Sequence, residues 1–69
     1  MSQVQKILNY MDEFGSISSM EAFMDLGITR LAARIADIEG MGIEIERETE
    51  SSVNRFGQKV HYTRYRKAA

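Results

Sequence analysis

Gly27-Ile28-Thr29-Arg30-Leu31-Ala32-Ala33-Arg34-Ile35-Ala36-Asp37-Ile38-Glu39 carries two side-chain stripes at helical spacing. Leu31, Ile35 and Ile38 fall at i, i+4 and i+7 and make one apolar face. Arg30, Ala33, Arg34 and Asp37 fall at i, i+3, i+4 and i+7 on another. That outer stripe bears two guanidinium groups around an alanine small enough to let a second surface come close. Thr29 is placed to cap the first turn through its hydroxyl, and Gly40 or Gly42 to end the helix in a left-handed conformation. The outer stripe fits either the solvated side of an ordinary amphipathic helix or the reading face of a recognition helix.

Immediately upstream, Leu26-Gly27-Ile28-Thr29 is a corner in which a glycine lets the chain reverse without a Cβ in the way, as a helix-turn-helix requires. The helix leading into it spans about residues 19–26. Ser18 and Glu21 form a capping box at its start, and Ala22, Phe23 and Leu26 are expected to face inward. Met20 and Met24 border that face, either filling gaps in the core or forming an adaptable surface for a protein partner. A first helix is expected from Gln3 to Phe14. Ser2 and Gln5 resemble a second capping box, Val4, Ile7, Leu8, Met11 and Phe14 form the apolar stripe, and Gly15 closes the helix. Tyr10 is expected at the edge of the stripe with its hydroxyl in water. Ser16-Ile17-Ser18 suits a stub strand or an extended connector.

Downstream, Ile43-Glu44-Ile45-Glu46-Arg47-Glu48 alternates strictly, and Lys59-Val60-His61-Tyr62-Thr63-Arg64-Tyr65 alternates again. Val60 and Tyr62 are the expected inward pair, and residues 49–58 form a polar loop between the strands. Phe56 is expected to pack at the base of that loop, and Tyr65 to pin the hairpin to the first helix. Three helices followed by a two-stranded β-hairpin make an α+β winged helix-turn-helix, with residues 1–69 as one domain and the hairpin loop as the wing.

The chain has 69 residues, no cysteine and no proline. The core of so short a domain is marginal without close packing, and neither a disulfide nor a thiolate site can support it. Its balance of 43 % hydrophobic and 28 % charged residues suits a folded domain. There is no apolar run of membrane-spanning length and no signal-peptide order, so no membrane association is expected and the expected compartment is the cytoplasm. The net charge of −1 conceals a division along the chain. Residues 1–53 hold four Lys or Arg and all ten acids, whereas residues 54–69 hold five Lys or Arg and no acid. Charge distribution matters more than the total for partner choice.

Taken together, Gly15-Ser16-Ile17-Ser18-Ser19-Met20-Glu21-Ala22, Leu26 to Ile35, Asn54-Arg55-Phe56-Gly57 and Tyr62-Thr63-Arg64-Tyr65 resemble a family of small helix-turn-helix proteins encoded mostly by bacteriophages and prophages. The resemblance covers nearly the whole chain. It implies a winged helix-turn-helix fold and DNA binding, with Thr29, Arg30 and Arg34 as recognition-helix positions and Asn54, Arg55 and Lys59 as wing positions. Glu39, Glu44 and Glu46 depart from a pattern that is more basic after the third helix.

On a DNA-binding reading, residues 30–39 enter the major groove, where Arg30 or Arg34 can pair with guanine and Ala33 can meet a thymine methyl. The wing at residues 49–58 lies on the backbone or in the minor groove, with Arg55 suited to a narrow, negative channel. Lys59, Arg64, Arg66 and Lys67 would add phosphate contacts that position without specifying. The first turn at Ser18 and Ser19 is either a phosphate clamp or simply a cap. Phe56 and Tyr65, interleaved with cations, have the chemistry to stack on bases or sugars. Glu44, Glu46 and Glu48 are expected on one strand face, where Lys59 and His61 would neutralise them.

The expected function is a DNA-binding module of phage type, either a small transcriptional regulator or an architectural recombination factor. The alternative is a winged helix that grips a host or phage protein. No enzyme is expected, because there is no glycine-rich phosphate loop and a triad would have to draw on the single His61. No metal or other cofactor is expected, and the chain is expected to be a monomer that pairs or arrays on DNA.

Overall fold

Ser2 accepts a hydrogen bond from the Gln5 N–H at 3.1 Å and so starts the first helix, α1, Gln3–Phe14, in a computed structural model that describes residues 2–68. The capping box is only half formed, since the Gln5 side chain donates to Asn9 Oδ1 at 2.9 Å. Gly15, at φ +88°, closes the helix as expected. The chain then gives a two-residue strand β1 (Ile17–Ser18), helix α2 (Ser19–Leu26), helix α3 (Leu31–Gly40) and two long strands, β2 (Ile45–Val53) and β3 (Lys59–Lys67).

The apolar stripes predicted for α1 and α3 meet. Ile7, Met11, Leu31, Ile35 and Ile38 are buried with Ile17, Ala22, Ile28 and Tyr65 in one cluster. Ile28 belongs to it because of the turn: Gly27 sits at φ +69°, and the Ile28 N–H donates to the Ala22 carbonyl at 3.0 Å, which folds the isoleucine beneath α2. Phe14 and Phe23 do not join. At 63 % and 54 % exposed they lie on the outer surface, Phe14 against the Tyr10 ring at 4.6 Å between centroids. Tyr10 does not point its hydroxyl into water either. It donates to Asp25 Oδ2 at 2.6 Å and ties α1 to α2, and this hydrogen bond, together with partial burial, pushes its pKa up to about 12.

The start of α3 differs from expectation, and its end falls on one of the two expected glycines. Arg30, rather than Thr29, precedes the helix, and no side chain caps it. Gly40 is the last helical residue, and the left-handed turn falls at Gly42, φ +89°.

The sheet departs further. It has three antiparallel strands in the order β1-β3-β2, not a two-stranded hairpin alone, because Ile17 pairs with Tyr65 and Ser18 with Arg64. The stub strand therefore staples the hairpin to the helices. Strand β2 also runs to Val53, through half of the expected loop, and only residues 54–58 turn. Beyond the helical body both faces of the hairpin meet water, so the polar run Thr49-Glu50-Ser51-Ser52 forms ladder without any apolar alternation to announce it. For the same reason Val60, 39 % exposed, is not an inward residue. Only Tyr65, at the end of β3 that lies over the helices, reaches the core.

Candidate nucleic-acid interface

The helix-turn-helix corner presents Thr29 and Arg30 at the exposed entry to α3. Arg30 makes no ion pair among the described residues. Ala33 and Arg34 are half-buried one turn on. The Arg34 Nε is buried without a hydrogen-bond partner and stands 3.2 Å from Asp37 Oδ2, an ion pair within the same helix. Of the two arginines on the outer stripe, Arg30 is free to reach outward and Arg34 is committed to a neighbour.

Ser18 is not a phosphate clamp. It is 3 % exposed, its N–H donates to Glu21 Oε1 at 2.9 Å, and its Oγ accepts from the Glu21 N–H at 3.3 Å, so both groups are used in the capping box. Ser19 is exposed beside it, with the Glu21 carboxylate in the same turn.

The basic end of the chain is largely consumed within the fold. Arg64 donates to Glu50, to Glu21 Oε1 at 2.7 Å and to Ser16 Oγ at 3.1 Å, and these bonds hold its pKa above the ordinary arginine range. Arg66 pairs with Glu48, and Lys67 with Asp12. Three of the four expected phosphate contacts are thus intramolecular pairs. Antiparallel pairing lays the acidic strand beside the basic one: Glu46 faces Arg66 and Glu48 faces Arg64, and each arginine reaches diagonally to the acid two residues further along β2. Lys59 and His61 lie opposite Val53 and Ser51 and do not neutralise those acids. Arg64→Ala is expected to lower stability by about 1–3 kcal/mol, roughly 4–8 °C in melting temperature for each kcal/mol. Thermal melts followed by circular dichroism measure this, and an unchanged melt would show that Arg64 is spare.

The far end of the hairpin keeps its charge. Arg55 and Lys59 are exposed and unpaired among the described residues, and no acid follows Glu50 in the sequence. Asn54 is engaged in building the turn. Its Oδ1 accepts from the Phe56 N–H at 2.9 Å and the Gln58 N–H at 3.0 Å, so it positions the tip and has little left with which to contact a base. Phe56 is 79 % exposed at the tip and does not pack at the hairpin base.

One residue important to this surface had no distinct signal in the sequence. Arg47 makes a bidentate pair with Glu39, at 3.0 and 2.6 Å, and lies over the Tyr65 ring at 5.5 Å. Its hydrogen bonds hold the Glu39 carboxyl below the usual range. They also offset the negative charge that ends α3. The pairing joins residues on different elements, which no local pattern reveals.

Two helices joined by a glycine corner, with a projecting hairpin after the second, are now in view. A family profile described as a winged helix-turn-helix domain matches residues 2–67. The chain belongs to that family. Such domains as a class bind DNA, commonly with the second helix of the corner in the major groove. No curated protein and no solved structure matched the chain. In this winged helix, Arg30 stands just ahead of α3, the second helix of the corner, and Arg55 and Lys59 stand on the hairpin. No helix among the described residues is long and apolar enough to cross a membrane.

Proposed function

We propose that this winged helix is a non-enzymatic module that binds double-stranded DNA, with residues 30–39 in the major groove and the wing on the backbone or in the minor groove. It acts as a phage-type transcriptional regulator or architectural recombination factor. It works in the cytoplasm without a cofactor, as a monomer that can pair or array on DNA. The phage-type assignment rests on the sequence resemblance.

The observation that carries DNA binding is where unpaired cations remain. Arg30, Arg55 and Lys59 lack acidic partners among the described residues and occupy the two elements that this class of domain turns toward the duplex, while Lys6, also unpaired, stands on α1. An arginine at the start of such a helix can pair with guanine O6 and N7. The acids nearest to α3 are held by arginines, Asp37 by Arg34 and Glu39 by Arg47, which lessens repulsion of phosphate. A groove of about 520 Å³ lies between the start of α2 and the hairpin. Of its polar lining residues, Ser18, Glu21 and Arg64 are hydrogen-bonded to one another in a chain, and Ser19, Ser52, His61 and Tyr62 complete that polar lining.

A salt titration against random-sequence duplex DNA tests the proposal. With about three phosphates neutralised, log K should fall with log salt at a slope of about −3. A slope steeper than about −5 would mean that Arg64, Arg66 and Lys67 leave their acids to bind. No binding at low salt would reject the DNA reading.

A second reading has its own observation. Met20, Phe23 and Met24 are 69 %, 54 % and 70 % exposed on α2, an apolar surface of the kind that adaptable protein-binding sites use. On that reading the domain grips a host or phage protein, and it gains if no DNA binding is seen.

A further inference from the structure

Phe56 stands 79 % exposed at the end of the hairpin, in a molecule 39 Å long and only 23 by 21 Å across. Its position is built. In addition to the two bonds accepted by Asn54 Oδ1, the Asn54 N–H donates to the Gln58 carbonyl at 2.9 Å and the Gly57 N–H to the Asn54 carbonyl at 3.0 Å. Gly57 takes φ +76°, which a residue with a Cβ rarely adopts, and thereby lets the chain return into β3.

The ring is also collared by charge of one sign. Arg55 precedes it, Lys59 follows, and residues 51–69 contain no acid. A narrow two-stranded tip with an apolar point and flanking cations is complementary to a groove walled by phosphates and floored by stacked bases.

We propose that Phe56 is a wedge that enters the DNA minor groove and partly unstacks one base step, with Arg55 beside it in the groove and Lys59 on a phosphate. This rests on the DNA-binding reading above and adds a specificity that no base hydrogen bond supplies. Pyrimidine–purine steps unstack most easily, so TA and CA/TG steps are favoured at the tip.

The test uses the full chain and a duplex selected from a random pool, carrying 2-aminopurine in turn beside each TA or CA step. Binding should raise the fluorescence at one step. Phe56→Ala should remove that rise and weaken binding about 5- to 150-fold, the range found when a stacking aromatic is truncated. The salt slope should stay the same, because no charge is lost. Arg55→Ala should lower the slope by about one. Replacing the responsive step by AA should weaken the wild type more than Phe56→Ala. Because Phe56 is exposed, melting temperatures should not change, which separates the wedge from a folding role.

Salt-sensitive binding with no fluorescence change, or Phe56→Ala binding as the wild type does, overturns the wedge and leaves the DNA reading standing. Absence of binding at low salt overturns both. Vesicles of phosphatidylcholine and phosphatidylglycerol form the remaining arm: if Phe56 is needed to bind them but not DNA, the tip is a membrane anchor and the proposal is overturned.

Discussion

Changing Arg30 and Arg55 together to alanine is expected to weaken binding to a selected duplex by roughly 30- to 1000-fold, about 2–4 kcal/mol. Arg30 supplies the larger part, because a bidentate contact to guanine is worth about 1–3 kcal/mol of discrimination. Arg55 adds a contact in a narrow groove or on phosphate. Both side chains are exposed and unpaired among the described residues, so the thermal melt should move little. Arg34→Ala is expected to cost less than Arg30→Ala. Its guanidinium already stands 3.2 Å from Asp37, and reaching DNA would require giving up that partner. Fluorescence anisotropy with labelled duplex measures all three variants. Affinity unchanged in the double variant, with the fold intact, would remove α3 and the wing as the contacting elements.

The largest expected effect on stability comes from Ile35→Ala, at about 2–5 kcal/mol. Ile35 is fully buried, in the same cluster as the core residues of α1, and truncating it leaves a cavity that helices fixed by caps and a three-stranded sheet can close only in part. A domain of this size has about 3–10 kcal/mol in total, so the variant is expected to melt roughly 10–30 °C lower and to be partly unfolded at 37 °C. Ile35→Val, which removes one methyl group, should cost only about 0.5–1.5 kcal/mol. Circular dichroism melts check both. An Ile35→Ala melt within a few degrees of the wild type would show that α3 is not seated on α1 as described.

How far the fold could be read in advance depends on the range of the interaction that makes each part. Helix α1 runs between the bounds its sequence suggests because Ser2 and Gly15 cap it from within a few residues. Helix α2 does likewise through Ser18, Glu21 and Gly27. Two expectations failed because the partners lie far apart along the chain. Pairing of Ile17 with Tyr65 adds the third strand, and Asp25 takes the Tyr10 hydroxyl. The length of β2 was hidden for a different reason: a strand with water on both faces has no apolar period to display.

The candidate interface divides along the same line. The sequence by itself determined where the helices lie, which of their faces are apolar, and that an arginine stands just ahead of the third. Those properties follow from backbone geometry and caps over a few residues. Which cations stay available was decided only by the tertiary structure. Antiparallel pairing sets Glu48 and Glu50 diagonally across from Arg66 and Arg64, and packing brings Asp12 to Lys67 and Glu39 to Arg47, so a basic segment becomes mostly internal pairs. Charge counted along a chain becomes a surface property only after folding, because opposite charges attract through space whatever their separation in sequence.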